Sequence, residues 1–359
     1  MFDGKKIWFI NFSGIGNGVM MAPILKCFEE CLPQAKYYHT ENNFLASDYF
    51  IKKSKLNNLI GLSPAGWRRF NNEYWPCILD YVNRNNITSI VNLRNEGPNW
   101  DKEYYDFKKY CSKINLKIDF WDLNFKKILS REGNKNITED IMDIFSSLGV
   151  SFKNLDLKWL SDLKLIEGNE IGFCITGSQL NKQWPKDKWA KLGKQIINKS
   201  NLKLVLFPGT KEAEAIQAEE MCSVLGNRCS IFKNRNLSSV SKKIGKLKCL
   251  ISNDTGLLHI AASIGIPIIG IYTNTDPAIW APYKAADFTA FINDYMYKCP
   301  YRKHHCGNCL NYYDTCPAIK EFGDNIEPES IFESVEKIMN ANIFSYGESS
   351  ANNTVLEAT

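Results

Sequence analysis

Short apolar runs alternate with longer stretches of helical spacing along most of the chain. KIWFINF, residues 6–12, is a strand-length apolar run. It ends in Ser13-Gly14-Ile15-Gly16-Asn17-Gly18, after which VMMAPILKCFEECL carries apolar positions at helical intervals. The pattern predicts a strand, a tight glycine turn and a helix. ITSIVNL and the region around LKIDFWDLNF repeat the strand signal, and ITEDIMDIFSSLGV repeats the helical one, so the first half reads as an α/β layer domain. The polar, irregular stretch SFKNLDLKWLSDLKLIEGNE marks a break. Beyond it IGFCITG, LKLVLFPG, CLISND and PIIGIYT read as strands, separated by the helices PKDKWAKLGKQIINKS, KEAEAIQAEEMCSVLG and TGLLHIAASIG.

Strands this apolar belong to parallel sheets covered by helices on both faces. The expected division is a domain over 1–165, a second over 166–341 closed by EPESIFESVEKIMNANIF, and a polar tail over 342–359. Two such domains in tandem leave a cleft, and ligands of parallel sheets sit beyond the carboxyl ends of the strands. Chemistry is therefore sought in the loops that follow them.

Composition narrows the partners. The 359 residues, 44% hydrophobic and 23% charged, suffice for about two ordinary domains. A formal charge of +5, from 44 basic against 39 acidic residues spread along the chain, is no nucleic-acid footprint. It suits an anionic partner such as a nucleotide or a phosphorylated lipid. No apolar leader and no membrane-length apolar run is present, so a soluble cytoplasmic protein is expected, with peripheral attachment to the inner membrane surface left open. In a reducing compartment its twelve cysteines are small buried hydrophobes or metal ligands.

The sharpest motif is Ser252-Asn253-Asp254-Thr255-Gly256-Leu257-Leu258-His259, where a strand hands over to a helix. A helix start offers free N–H groups and partial positive charge, a ready diphosphate site. Thr255 can cap, Gly256 admits a phosphate close to the backbone, and His259 lies on the first turn. The Asp254 carboxylate suits sugar or ribose hydroxyls rather than phosphate. After the preceding strands stand Thr176-Gly177-Ser178, followed by Lys182 as a mobile cation, and Pro208-Gly209-Thr210-Lys211-Glu212, whose carboxylate suits a ribose or base. Each alone has a bland reading: a helix cap, a core histidine, solvated surface charges. Three consecutive strand ends carrying anion and hydroxyl ligands are harder to dismiss.

Together GSQLNKQWPKDKWAKL, FPGTKEAE and SNDTGLLHIAASIGIPIIGIYTNTDPAIWAPY resemble the C-terminal half of the heptosyltransferases of glycosyltransferase family nine. Weaker likeness extends to Gly16–Pro23 and to GWRRF. The resemblance implies an α/β GT-B fold, two Rossmann-like domains facing a central cleft, with an N-terminal acceptor domain and a C-terminal donor domain. It implies an inverting transferase that moves heptose or a related sugar from a nucleotide donor, ADP-heptose foremost, without a catalytic cofactor or metal. The acceptor would be a bacterial surface glycan, glycolipid or protein. Thr176, Gly177, Ser178, Lys182, Glu212, Asp254, Thr255, Gly256 and His259 would line the donor site, with Lys182 and His259 serving catalysis, while Arg68 and Arg69 would face the acceptor. Asn17 occupies the catalytic position where the family carries its general-base aspartate, and an amide accepts no proton at neutral pH. Glu96, in Arg94-Asn95-Glu96-Gly97, is the candidate replacement. The same departure supports an alternative reading, a non-catalytic nucleotide-sugar-binding homologue acting as scaffold or regulator.

Two features fall outside that pattern. Cys299, Cys306, Cys309 and Cys316, interleaved with His304 and His305, gather soft ligands in one short segment, so structural zinc or iron stands against free thiols. The glycine turn at 14–18 lacks the third glycine of a dinucleotide fingerprint, since position 19 is Val19. That argues against a nicotinamide oxidoreductase.

Overall fold

The computed structural model describes residues 4–10, 15–40, 49, 53–63, 72–93, 98–122, 135–165, 168–177, 180–273, 275–284, 288–292 and 323–340. Contacts divide the chain into two units, the first comprising Met1–Trp159 with Ala278–Lys284. The second comprises Leu160–Pro277 and the described residues 288–292 and 323–340.

The first unit contains β1 (Lys6–Ile10), α1 (Ile15–Cys31), β2 (Lys36–Thr40), β3 (Leu59–Ser63), α2 (Trp75–Arg84), β4 (Ser89–Asn92), α3 (Pro98–Lys113), β5 (Asp119–Asp122) and α4 (Ile137–Ser147). Its strands form one parallel sheet in the order β3-β2-β1-β4-β5. After Lys6, central β1 is apolar because it is buried on both faces. Ile7 and Phe9 join Met21, Ile24, Phe28, Ile141 and Phe145 of α1 and α4, whereas Trp8 and Ile10 join Ile78, Val82, Tyr104 and Phe107 of α2 and α3. The tight glycine turn expected before α1 is shorter than the sequence suggested. Ile15, Gly16, Asn17 and Gly18 already belong to the helix.

The second unit contains β6 (Glu170–Cys174), α5 (Lys186–Lys199), β7 (Lys203–Leu206), α6 (Glu212–Leu225), β8 (Cys229–Ile231), α7 (Leu237–Ile244), β9 (Cys249–Asn253), α8 (Gly256–Ile264), β10 (Ile268–Tyr272), β11 (Phe288–Ile292) and α10 (Pro328–Asn340), while the short helix α9 (Pro277–Trp280) passes from it into the first unit after Pro277. The sheet is again parallel, in the order β11-β10-β9-β6-β7-β8. The amphipathic face of α10, with Ile331, Phe332, Val335 and Ile338, closes over a core shared with Trp189, Leu192 and Ile196 of α5.

The irregular stretch before β6 is docked rather than loose. Leu160 is buried and donates its N–H to the Ser263 carbonyl at 3.0 Å, and Leu165 N–H bonds Gly245 O at 2.8 Å. A Cβ on Gly245 would stand 1.9 Å from the Leu163 carbonyl oxygen, so only glycine admits this approach.

In both sheets the strand order reverses beside the first strand of the unit, between β1 and β4 and between β6 and β9. Loops leaving neighbouring strands on opposite sides of such a point open a crevice for ligand.

Candidate functional site

β6 and β9 pair from Ile171 with Cys249 through Cys174 with Ser252. Beyond this ladder the chain leaves β6 through Ile175, Thr176 and Gly177, and leaves β9 through Asp254 and Thr255 into α8. Asn253, the last residue of β9, is fully buried. Its Nδ2 donates to Ile175 O at 2.9 Å and Thr176 O at 3.3 Å, and its Oδ1 accepts the Trp184 N–H at 3.1 Å. One amide thus fixes both ends of the loop that carries Lys182. Gln183 Nε2 closes the same loop onto Gly177 O at 3.0 Å.

Lys182 Nζ then reaches Asp254 Oδ2 at 2.7 Å, and Thr275 Oγ1 donates to that same oxygen at 2.8 Å. Thr273, also in the loop after β10, donates its hydroxyl to Asn181 O at 2.6 Å. Loops after β6, β9 and β10 are therefore cross-braced around one carboxylate. Burial pushes the Asp254 carboxyl up, but the Lys182 ammonium, the hydrogen bonds from Lys182 and Thr275, and His259 together hold it below its ordinary value. Its Oδ1 has no protein partner among the described residues, leaving an acceptor for a hydroxyl donor.

Thr255 departs from its expected role. Its backbone is extended, as at an N-cap, yet its side chain makes no cap bond. The hydroxyl instead pairs with Ser252 Oγ at 2.9 Å and approaches Cys174 Sγ at 3.7 Å. The first-turn N–H groups of α8, starting at Gly256, consequently lack a side-chain cap, which is the condition for receiving an anion. His259, one turn on, is buried, and burial lowers its pKa from 6.5 to about 4 despite the nearby Asp254. At neutral pH it is an uncharged imidazole, able to donate a hydrogen bond but not to act as a cation.

Thr176, Gly177, Lys182, Asp254, Thr255, Gly256 and His259 thus share the ends of β6 and β9. Glu212 is elsewhere: it opens α6 after β7 and is exposed. Its neighbour Glu214 folds back instead, accepting the Lys211 N–H at 2.9 Å. A Cβ on Gly209 would lie 2.2 Å from Glu214 Oε2. The positioning residues Asn253, Trp184, Thr273 and Thr275 were not among the sequence candidates. For Asn253, Thr273 and Thr275 the signal was polar residues at the end of an apolar strand, in SND and YTNTD.

Ser178, Arg68, Arg69, Glu96, His304, His305, Cys299, Cys306, Cys309 and Cys316 lie outside the described residues, as does the Asn17 side chain. Among the described residues no group of three or more His, Cys, Asp or Glu side chains is arranged to hold a metal ion.

Residues 148–308 match glycosyltransferase family 9 (heptosyltransferase), a segment that holds every described member of the site. The chain is heptosyltransferase-like. Its similarity to lipopolysaccharide heptosyltransferase 2 of Salmonella typhimurium is 32% identity over 181 residues, covering 46% of this chain and 50% of that protein. The heptosyltransferase-like chain thus spans about half the length of this curated relative. The solved structure of E. coli heptosyltransferase WaaC with ADP has a TM-score of 0.60 at 14% identity, covering 93% of this chain and 99% of that one. The iron-containing dodecameric glycosyltransferase TibC from enterotoxigenic E. coli H10407 has a TM-score of 0.57 at 13% identity, covering 95% and 77%. These two likenesses show the α/β fold, that of GT-B heptosyltransferases.

Proposed function

We propose that the chain is an inverting glycosyltransferase that moves heptose or a closely related sugar from a nucleotide donor, ADP-heptose foremost, to a bacterial surface glycan. The carrying observation is the pairing of Lys182 with Asp254 beside the side-chain-uncapped start of α8, at the switch point of a parallel sheet. The relative's action on lipopolysaccharide and the ADP in the WaaC structure support the sugar, nucleotide and acceptor classes. A lipopolysaccharide core is the acceptor favoured over an O-antigen, capsule or protein.

In this reading the α8 N–H groups and the Lys182 ammonium take up the charge that builds on the leaving diphosphate as the acceptor oxygen attacks the anomeric carbon. Asp254 Oδ1 accepts from a sugar or ribose hydroxyl, and neutral His259 donates from the first turn. No metal is needed for this stabilisation. Ser178 and Glu212 complete the donor contacts, and Arg68 and Arg69 face the acceptor. Asn17 stands in the first turn of the helix that follows β1, and the amide at that position carries no base chemistry. Glu96 follows β4, which pairs with β1 at the reversal of the first sheet, and is proposed as the base in its place.

Cys299, Cys306, Cys309 and Cys316 supply four thiols, a donor set suited to zinc and to iron. The iron in TibC favours iron for a structural role here. Metal analysis of the intact protein before and after replacing Cys306 and Cys309 by serine tests this separately from catalysis. Among the described residues no helix is long and apolar enough to cross a membrane, and we propose a cytoplasmic enzyme that meets its lipid-linked acceptor at the inner membrane surface.

Purified protein is screened by thermal shift and product mass spectrometry against a panel of nucleotide sugars, with and without truncated lipopolysaccharide. Donor-dependent stabilisation with sugar transfer establishes the reading. Stabilisation without transfer to any acceptor would assign the chain to a binding protein instead.

A further inference from the structure

Cys222 lies in the last turn of α6 and Cys229 opens β8, and both are free thiols only partly shielded from solvent. Their Sγ atoms are 2.7 Å apart, closer than two unbonded sulfurs rest and approaching the roughly 2.05 Å of a disulfide. The connection between them is held by its own contacts. The Gly226 N–H bonds Cys222 O, Gly226 takes φ +76° with no obstructing neighbour, and Gly226–Arg228 forms a single 3-10 turn. Arg228 Nη1 donates to Ser200 O at 2.6 Å, and its Nη2 bonds Ile197 O, tying the turn to the end of α5. The two sulfurs are therefore presented to each other by a braced framework. No other pair of sulfurs among the described residues is in such contact: Cys111 and Cys249 are buried apart, and the buried Cys174 sulfur faces the Thr255 hydroxyl instead.

We propose that Cys222 and Cys229 are a redox modification site, a dithiol that a low-molecular-weight disulfide such as oxidised glutathione converts to an intramolecular disulfide. The Cys222 sulfur, as thiolate, attacks one sulfur of the oxidant, forming a mixed disulfide and releasing one equivalent of its thiol. The Cys229 sulfur then attacks the Cys222 sulfur, forming the Cys222–Cys229 bond and releasing the second thiol. Both protein thiol protons end on the released thiols, and the oxidant disulfide is reduced by two electrons as the protein pair is oxidised. Burial pushes the Cys229 thiol up, with the adjacent Cys222 adding to the effect, which keeps it a thiol until its partner is activated.

The bond would staple the end of α6 to β8, a three-residue strand at the sheet edge. An edge this short, paired among the described residues with β7 alone, is where local opening is easiest, and a cross-link there suppresses it. The site sits at the opposite end of α6 from Glu212 and outside the Lys182–Asp254 network, so the inference does not rest on the proposed transferase activity.

The test equilibrates the intact protein in graded ratios of reduced to oxidised glutathione, quenches with acid, blocks free thiols with N-ethylmaleimide in denaturant, and maps peptides by mass spectrometry. The expected result is a linked Cys222–Cys229 peptide, lighter by two hydrogens, forming at ratios where Cys111, Cys174 and Cys249 remain alkylated. C229S should stop at the Cys222–glutathione mixed disulfide, and hydrogen exchange at β8 should slow in the oxidised wild type alone. Alkylation of both cysteines at every ratio, or linkage of either to another cysteine in preference, would overturn the proposal. C222A, if folded by circular dichroism, must lose the linked peptide and gain no protection at β8.

Discussion

The Asn253 side chain, at the end of β9, donates to the Ile175 carbonyl 78 positions earlier in the chain, and with Trp184 N–H it spans the loop that holds Lys182. Removing it strands buried backbone groups that no water reaches. Asn253→Ala should destabilise the second unit by about 2–4 kcal/mol, from two or three orphaned groups at about 1–3 kcal/mol each with partial relaxation. Denaturant titration measures this. Asn253→Asp should be comparably harmful, because its carboxylate would face the Ile175 and Thr176 carbonyls that now accept.

Lys182→Ala should weaken binding of the nucleotide donor by about 10–100-fold, the value of one charge-assisted contact to phosphate. Isothermal calorimetry with ADP and the nucleotide sugar gives the ratio. Asp254→Asn should also weaken binding, and it should flatten the acid limb of stability. The Asp254 carboxyl is held below its ordinary 3.8, so its contribution is complete above that value and is lost as pH falls through the lower folded value. Unchanged donor affinity in both variants would remove the site assignment.

His259 predicts a different window. Its folded pKa, about 4, lies below the ordinary 6.5, so between these values the unfolded chain binds a proton that the folded chain refuses. Stability should therefore rise with pH across that interval, by about 3 kcal/mol in total, and level off above it. His259→Gln should abolish most of this slope in urea melts run from pH 4 to pH 7. Bound diphosphate should narrow the window by favouring the charged imidazole.

Gly245→Ala should cost about 2–3 kcal/mol, since the added methyl would meet the Leu163 carbonyl at 1.9 Å and the backbone must part to admit it. Limited proteolysis should then cut within residues 160–165 faster than in the wild type. Equal cutting rates would show that the segment is held by other contacts.

Much of this was legible because burial leaves a strong mark. IWFI of β1 and CLI of β9 are apolar on both faces, and such runs suit strands flanked by helices. β2, with its KYYHT sequence, carries no such mark, and neither does three-residue β8. Such edge or near-edge strands are placed by pairing with a neighbour rather than by their own pattern. The loop motifs identified Lys182, Asp254 and His259 because charged and ring residues are rare after apolar strands. Which hydroxyl caps and which braces was not legible: Thr255 and Thr275 have the same chemistry, and only the fold turns one toward Ser252 and the other toward Asp254. The return of Ile279 and Trp280 to the first unit's core was equally hidden, since their apolar character fits either core.

The parallel ladder between β6 and β9 joins Ile171 to Cys249, whereas every other pairing in that sheet links strands nearer in sequence. Closing the longest loop is the entropically demanding step of assembling such a sheet. During synthesis, Lys182 leaves the ribosome well before Asp254 does, and the two meet only when β6 and β9 register. If the proposed donor site is correct, a refolding chain should bind nucleotide only once β6 and β9 have paired, so the onset of binding would time that long-range pairing.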